Sequence, residues 1–294
     1  MKVRFAIAPG IAPGMADLEP MVRALEASGF DGIWLSDVPL APVADPLLGL
    51  AFAAGLTSRL KLGANVVPLG RNPFALAKQL AQLDQVSGGR VLLAFVPGLD
   101  HRGEREALGV AGADRGAILE EVLAMSRHWW AGEEVSASTN GWSLHELTLP
   151  TRPLQEPLEV WLGGHGPRAL ERAGRIADGW LGAALTPPEA DTARRAIQRS
   201  AKSAGRAIDP EHFGMSIGYA RASPDPAVLE ALRARRKDVD PLDVVPVGAD
   251  SLRSMVLDYL SAGVSKFVLR PLRVTSSWDE ELDWLGDAVL DLQS

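Results

Sequence analysis

A chain of 294 residues with 47% hydrophobic and 23% charged side chains carries enough apolar mass for a sizeable core, which excludes disorder. Without cysteine it has no disulfide, thiol catalysis or Cys-type zinc site, and its five histidines lack HExxH-like spacing, so no dedicated metal site is expected. A net charge of -7 argues against nucleic acid as a partner, and the absence of a long apolar span or a signal-peptide core makes a cytoplasmic location without membrane attachment the expectation.

Val3 to Ala8 reads as a short buried strand. Leu18, Met21, Val22 and Leu25 then recur at helical spacing, and Gly29 closes that helix. Gly32 to Ser36 is a second strand, and Asp45-Pro46 opens an apolar helix running to about Thr57. Leu60 to Val67 is a third strand, followed by a helix from Pro73 that ends at Gly88-Gly89. Arg90 to Val96 is the fourth strand. Gly98 to Asp114 reads as a charged, Gly-rich loop before a long helix carrying Ile118, Val122, Met125 and Trp129 on one face.

The period breaks around 131–157, where several prolines suggest a surface insertion and Asn140-Gly141 would suit a hairpin turn. It resumes with a fifth strand at Leu158 to Leu162, a helix from Pro167, a sixth strand at Gly179 to Gly182 and a helix over Pro187 to Gly205. Phe213 to Ala220 is the seventh strand and Lys266 to Arg270 the eighth; helices from Pro226, over Asp250 to Ala262 and over Trp278 to Leu292 complete the series. Eight apolar strands alternating with helices, without a linker-like shift in composition, predict an α/β protein over 1–294: one (β/α)8 TIM barrel with insertions rather than two doubly wound domains.

In such a barrel the chemistry sits at the C-terminal ends of the strands, so the residues there are the candidates. They are Ser36 and Asp37, Asn65 to Pro68, Pro97 and Gly98, the run Gly163-Gly164-His165-Gly166-Pro167, and Arg270. The glycine run before a Pro-started helix suits a phosphate, because backbone can approach closely and the helix start offers unpaired N–H groups. It equally suits an ordinary tight turn, and it is neither a Walker A loop nor a good GxGxxG. Asp37 reads as a loop cap or a site residue. Arg270 reads as half of a structural ion pair or as a donor to an anionic substrate or coenzyme tail. No GxSxG elbow or obvious carboxylate pair is present, so a cofactor is expected to supply the reactivity. Trp129, Trp130, Trp142, Trp161 and Trp180 could stack on its ring or simply fill the core.

Three segments, Asn72 to Phe95, Glu106 to Trp130 and Pro157 to Leu181, resemble the bacterial luciferase-like flavin oxidoreductases, as do the LSD after the second strand and LGANVVPLGRNP around the third. The resemblance implies a (β/α)8 barrel that holds coenzyme F420 (8-hydroxy-5-deazaflavin) or, alternatively, FMN. It places Asp37 beside the flavin ring and a distorted, often cis, peptide at Asn65-Val66 against it. It assigns Pro97 and Gly98 to the loop after the fourth strand, and Gly163, Gly164, Gly166 and Pro167 to the cofactor tail and phosphate. It also implies a small-molecule substrate, a homodimer and, for FMN, a flavin reductase as partner. Two departures stand out: Val38 replaces a His that many deazaflavin members carry, leaving no residue assigned as catalytic acid or base, and Ala94 and Val96 replace the usual glycines of the fourth strand. The Arg-rich, Lys-poor composition leans toward F420. The expected function is F420-dependent hydride transfer to or from a small organic molecule, with an FMN monooxygenase and a noncatalytic flavin-binding relative as the other readings.

Overall fold

The computed structural model describes residues 1–10, 14–139 and 141–294. In chain order its first half contains β1 (Arg4–Ile7), α1 (Leu18–Ala27), β2 (Gly32–Ser36), α2 (Pro46–Leu56), β3 (Lys61–Val66), α3 (Pro73–Ser87), β4 (Val91–Phe95), α4 (Arg102–Ala107) and α5 (Arg115–Trp130). There follow β5 (Val135–Thr139), β6 (Trp142–Leu147), β7 (Val160–Gly163), α6 (Pro167–Ile176), β8 (Gly179–Ala183) and α7 (Pro187–Ser203). The chain ends with β9 (Phe213–Tyr219), α8 (Pro226–Arg235), α9 (Ala249–Ser261), β10 (Lys266–Pro271) and α10 (Trp278–Val289).

Eight of these strands close into a barrel in the order β1-β10-β9-β8-β7-β4-β3-β2, all parallel. This is the (β/α)8 barrel expected from the alternation of apolar runs and helices. Local chemistry starts several of the helices. Asp45 caps α2 by accepting from the Leu47 and Leu48 N–H groups, Asn72 caps α3 through the Ala75 N–H, and Pro46 and Pro73 occupy first-turn positions where no N–H is needed. Among the described residues no helix is long and apolar enough to cross a membrane.

The stretch from Gly98 to Asp114 is not only loop, because it contains α4. Six residues are too few to show a periodic apolar face, which is why it does not stand out in the sequence. Within 131–157, β5 and β6 pair antiparallel outside the barrel. Asn140, half of the expected turn, lies outside the described residues.

Most buried side chains fill the layer between strands and helices, but Ala8, Trp34, Ala94, Leu181 and Val268 form a separate cluster inside the barrel, with Ala6 and Trp161 against it. Glycines on adjacent strands make room for the two indoles. A Cβ at Gly63 would lie 2.0 Å from the Trp34 ring, and one at Gly179 would lie 2.4 Å from that of Trp161. Trp34 and Trp161 thus plug the lumen, while Trp129, Trp130 and Trp180 are buried packing residues. Truncating one such indole to Ala costs about 3–5 kcal/mol. The plug separates the C-terminal mouth from the N-terminal end of the barrel.

Candidate functional site at the C-terminal mouth

Ser36 ends β2, Asn65 lies near the end of β3 and Arg270 near the end of β10, so the strand termini bring three polar side chains to one end of the lumen. The Asn65 amide donates to Ser36 Oγ at 3.0 Å, and an Arg270 guanidinium nitrogen donates to the same oxygen at 3.1 Å. With two donors aimed at it, the Ser36 hydroxyl keeps its own proton for a third partner. Asn65 Oδ1 is buried without any hydrogen-bond partner. Among the described residues Arg270 has no carboxylate within 4 Å, and burial pulls its pKa below the usual guanidinium value with nothing to offset it. Of its two readings, the ion pair is therefore not formed. The result is a cluster of spare donors beside one spare acceptor.

Asp37 is committed elsewhere. Its carboxylate pairs with Arg71 at 2.8 Å and accepts the Val67 N–H at 3.1 Å, and its side chain is only 8% exposed. Arg71 also reaches Asp45, the cap of α2, at 3.4 Å. Burial works against the Arg71 charge, but Asp37 and Asp45 outweigh it and hold the pKa above the ordinary value. The network ties together the loops after β2 and β3.

Asn65-Val66 is not distorted. Asn65 pairs with Ser36 on one side and Ala94 on the other, the Val66 carbonyl accepts from the Val96 N–H, and the only cis peptide among the described residues is Glu156-Pro157. A strand held by ladders on both sides has no slack for the expected bulge. The Val66 side chain is fully buried in the outer core and does not face the lumen.

The loop after β4 is held by Arg115, which donates to the Pro97, Gly98 and Leu99 carbonyls at 3.2, 3.4 and 2.9 Å. Gly98 sits at φ 73°, and a Cβ there would lie 2.6 Å from an oxygen of Glu104. Glu104, on α4, is 2% exposed and accepts the Leu99 N–H at 2.6 Å. Sequence reasoning missed this buried carboxylate because α4 itself was not visible.

Across the mouth, Gly163 ends β7, and the side chain of Val96 occupies the space a Cβ would need there, 2.7 Å away. Gly164 adopts φ 105°, disfavoured for any other residue, and its carbonyl accepts the Trp180 indole N–H at 2.8 Å. Gly166 is the N-cap of α6 without a side-chain cap, Pro167 is its first residue, and open space surrounds Gly166. His165 lines a cavity of about 550 Å³ together with Arg235 and Arg236. Arg236 is paired with Glu189 and Asp238, whereas Arg235 meets no carboxylate among the described residues. The glycine run and the Ser36, Asn65 and Arg270 cluster therefore share the same end of the barrel.

Comparison with known proteins gives three kinds of match. The family model for luciferase-like monooxygenase matches residues 4–253. The phthiodiolone/phenolphthiodiolone dimycocerosates ketoreductase of Mycobacterium tuberculosis is 31% identical over 272 residues, covering 83% of this chain and 66% of the relative, just under two thirds of its length. Among solved structures, the coenzyme F420 dependent tetrahydromethanopterin reductase of Methanopyrus kandleri superposes with a TM-score of 0.80 at 20% identity, covering 100% of both chains. The oxygenating constituent of 3,6-diketocamphane monooxygenase from Pseudomonas putida, solved in complex with FMN, gives 0.76 at 14% identity, covering 100% of this chain and 99% of that one.

Proposed function

The chain belongs to the luciferase-like monooxygenase family, and from that premise we propose that it is a coenzyme F420-dependent oxidoreductase moving hydride between the deazaflavin and a small organic substrate at the C-terminal mouth. The observation that carries this reading is the Ser36, Asn65 and Arg270 cluster, a buried cation with no counterion among the described residues beside an orphaned amide oxygen. The pyrimidine edge of a flavin or deazaflavin offers carbonyl oxygens flanking an N–H, a pattern that matches spare donors next to a spare acceptor. These three residues would hold the polar edge of the ring. Gly163, Gly164, Gly166 and Pro167, with His165 and Arg235 nearby, would take the anionic tail at the start of α6.

When bound, the coenzyme supplies the hydride chemistry. The chain's own residues orient and enclose. The lumen plug keeps water from entering beneath the mouth, the Asp37, Arg71 and Asp45 network fixes two of the loops that frame it, and Arg115 fixes a third. With Val38 after Asp37, no proton is routed through that position.

The test measures dissociation constants for F420 and for FMN separately, then follows turnover without oxygen. The proposal expects F420 to bind at least about tenfold tighter and to exchange hydride anaerobically with a small carbonyl or alcohol substrate. A preference for FMN with an oxygen requirement would replace it by a monooxygenase supplied by a reductase. Tight F420 binding without any redox change across a broad substrate panel would replace it by a noncatalytic binder.

A further inference from the structure

The N-terminal end of the barrel carries a second opening, in a part of this fold that ordinarily serves stability. A cavity of about 240 Å³ lies there, below the lumen plug and at the opposite end of β10 from Arg270. Trp34, Trp161, Leu181 and Val268 wall it, and Leu92 beside them is 37% exposed, a large apolar side chain left to water. An engineered apolar cavity of roughly 150 Å³ accepts benzene, so this one has room for a fused two-ring molecule.

The rim is charged, and most of its charges are paired. The strand starts contribute Arg4, Lys61 and Lys266 against Asp31 and Glu159, with His212 between them. Arg4 lies 3.7 Å from Asp31, Lys266 lies 3.8 Å from Glu211 and donates to the Lys2 carbonyl at 2.6 Å, and Glu159 lies 3.6 Å from His212. Lys61 alone among these rim side chains has neither an ion pair nor a hydrogen bond among the described residues.

We propose that this cavity is a second ligand site, which takes a planar aromatic carboxylate with its rings against Trp34 and Trp161 and its anionic group at Lys61. The apolar wall supplies burial and aromatic contact. Lys61 supplies the charge complement that selects an acid over its neutral analogue. The site is independent of the coenzyme reading, since it shares no residue with the mouth cluster.

The experiment titrates the purified protein with naphthalene-2-carboxylate by calorimetry. One saturable site per chain is expected, weakened about tenfold or more for the neutral carboxamide and for Lys61→Met, a loss of about 1.4 kcal/mol. Ala6→Leu, which fills the cavity from β1, abolishes binding, and Arg270→Met leaves it unchanged. Circular dichroism melts establish that each variant is folded, and Lys61→Met, a change at the rim, carries the test if Ala6→Leu is not. Absence of saturable binding at millimolar probe, equal affinity for the carboxamide, or loss of binding in Arg270→Met with retention in Lys61→Met would each overturn the proposal.

Discussion

Arg270 reaches the hydroxyl of Ser36 at 3.1 Å and meets no carboxylate among the described residues, so the barrel mouth holds a desolvated positive charge whose one described partner is neutral. Desolvating an unpaired ion costs several kcal/mol in the folded protein, and that cost is recovered only when an anion or a carbonyl-rich ring arrives. Arg270→Met keeps the stem and removes the charge. The melting temperature of the cofactor-free variant should equal or exceed that of the parent, while affinity for the coenzyme or an anionic substrate falls at least about tenfold. A destabilised variant that binds normally would make Arg270 a structural residue.

Removing Arg71 should act in the opposite way. In Arg71→Met the Asp37 carboxylate stays buried with, among the described residues, only the Val67 N–H as partner, and Asp45 keeps the Leu47 and Leu48 N–H groups but loses its contact to Arg71. Breaking a buried pair from one side costs about 3 kcal/mol, reduced here because the Arg71 side chain is 27% exposed. Urea unfolding measures the loss. A change below about 1 kcal/mol would show that solvent already screens the pair.

These two arginines mark where sequence reading stops. The strands and most helices are legible because apolar runs are bounded by local punctuation, as where Ser36 ends one run and Asp45-Pro46 caps the next helix. Closure follows from their alternation. Partners are another matter: Arg71 lies 34 residues from Asp37, and Arg270 lies 234 from Ser36, so neither contact leaves a local pattern. Arg270 is visible as a strand-end cation, but the lack of a counterion emerges only from the fold. The expected bulge at Asn65-Val66 rests on resemblance and on the non-alternating run ANVVP, and the paired ladders on both sides replace it with regular strand. Glu104 stayed hidden because its helix is only six residues long.

The proposed anion site at α6 gives a prediction in which stability and binding move apart. Gly164→Val is a poor probe, because φ 105° strains any side chain and a Cβ there would lie 3.0 Å from that of Ala169. Gly166 is better placed, with open space around it and φ -68°. Gly166→Asp supplies the missing side-chain cap and a negative charge at the helix start, which should stabilise the fold by about 0.5 kcal/mol. The same charge should repel the coenzyme tail and weaken binding about tenfold or more. Unchanged affinity in the stabilised variant would move the tail away from α6.

Glu26, in the last turn of α1, predicts an acid-sensitive share of stability. Its carboxylate accepts from the Ser58, Arg59 and Leu60 N–H groups at 2.7, 3.0 and 3.1 Å and from the Ser58 hydroxyl at 3.1 Å, joining α1 to the start of β3. Burial pushes its pKa up, but these donors together outweigh burial and hold it below the ordinary 4.5. A depressed carboxyl pKa favours the folded state wherever the group is ionised. The contribution is complete above the unfolded value of 4.5 and drains away as pH falls through the lower folded value. Glu26→Gln keeps one acceptor without charge, so it should cost about 1–2 kcal/mol near neutral pH. Urea unfolding of both proteins, stepped from about pH 7 to about pH 3, should show the gap constant at first, narrowing once pH drops below 4.5 and closing when the parent carboxyl is protonated. A gap that persists unchanged into acid would mean that the shape of the carboxylate, rather than its charge, holds the junction.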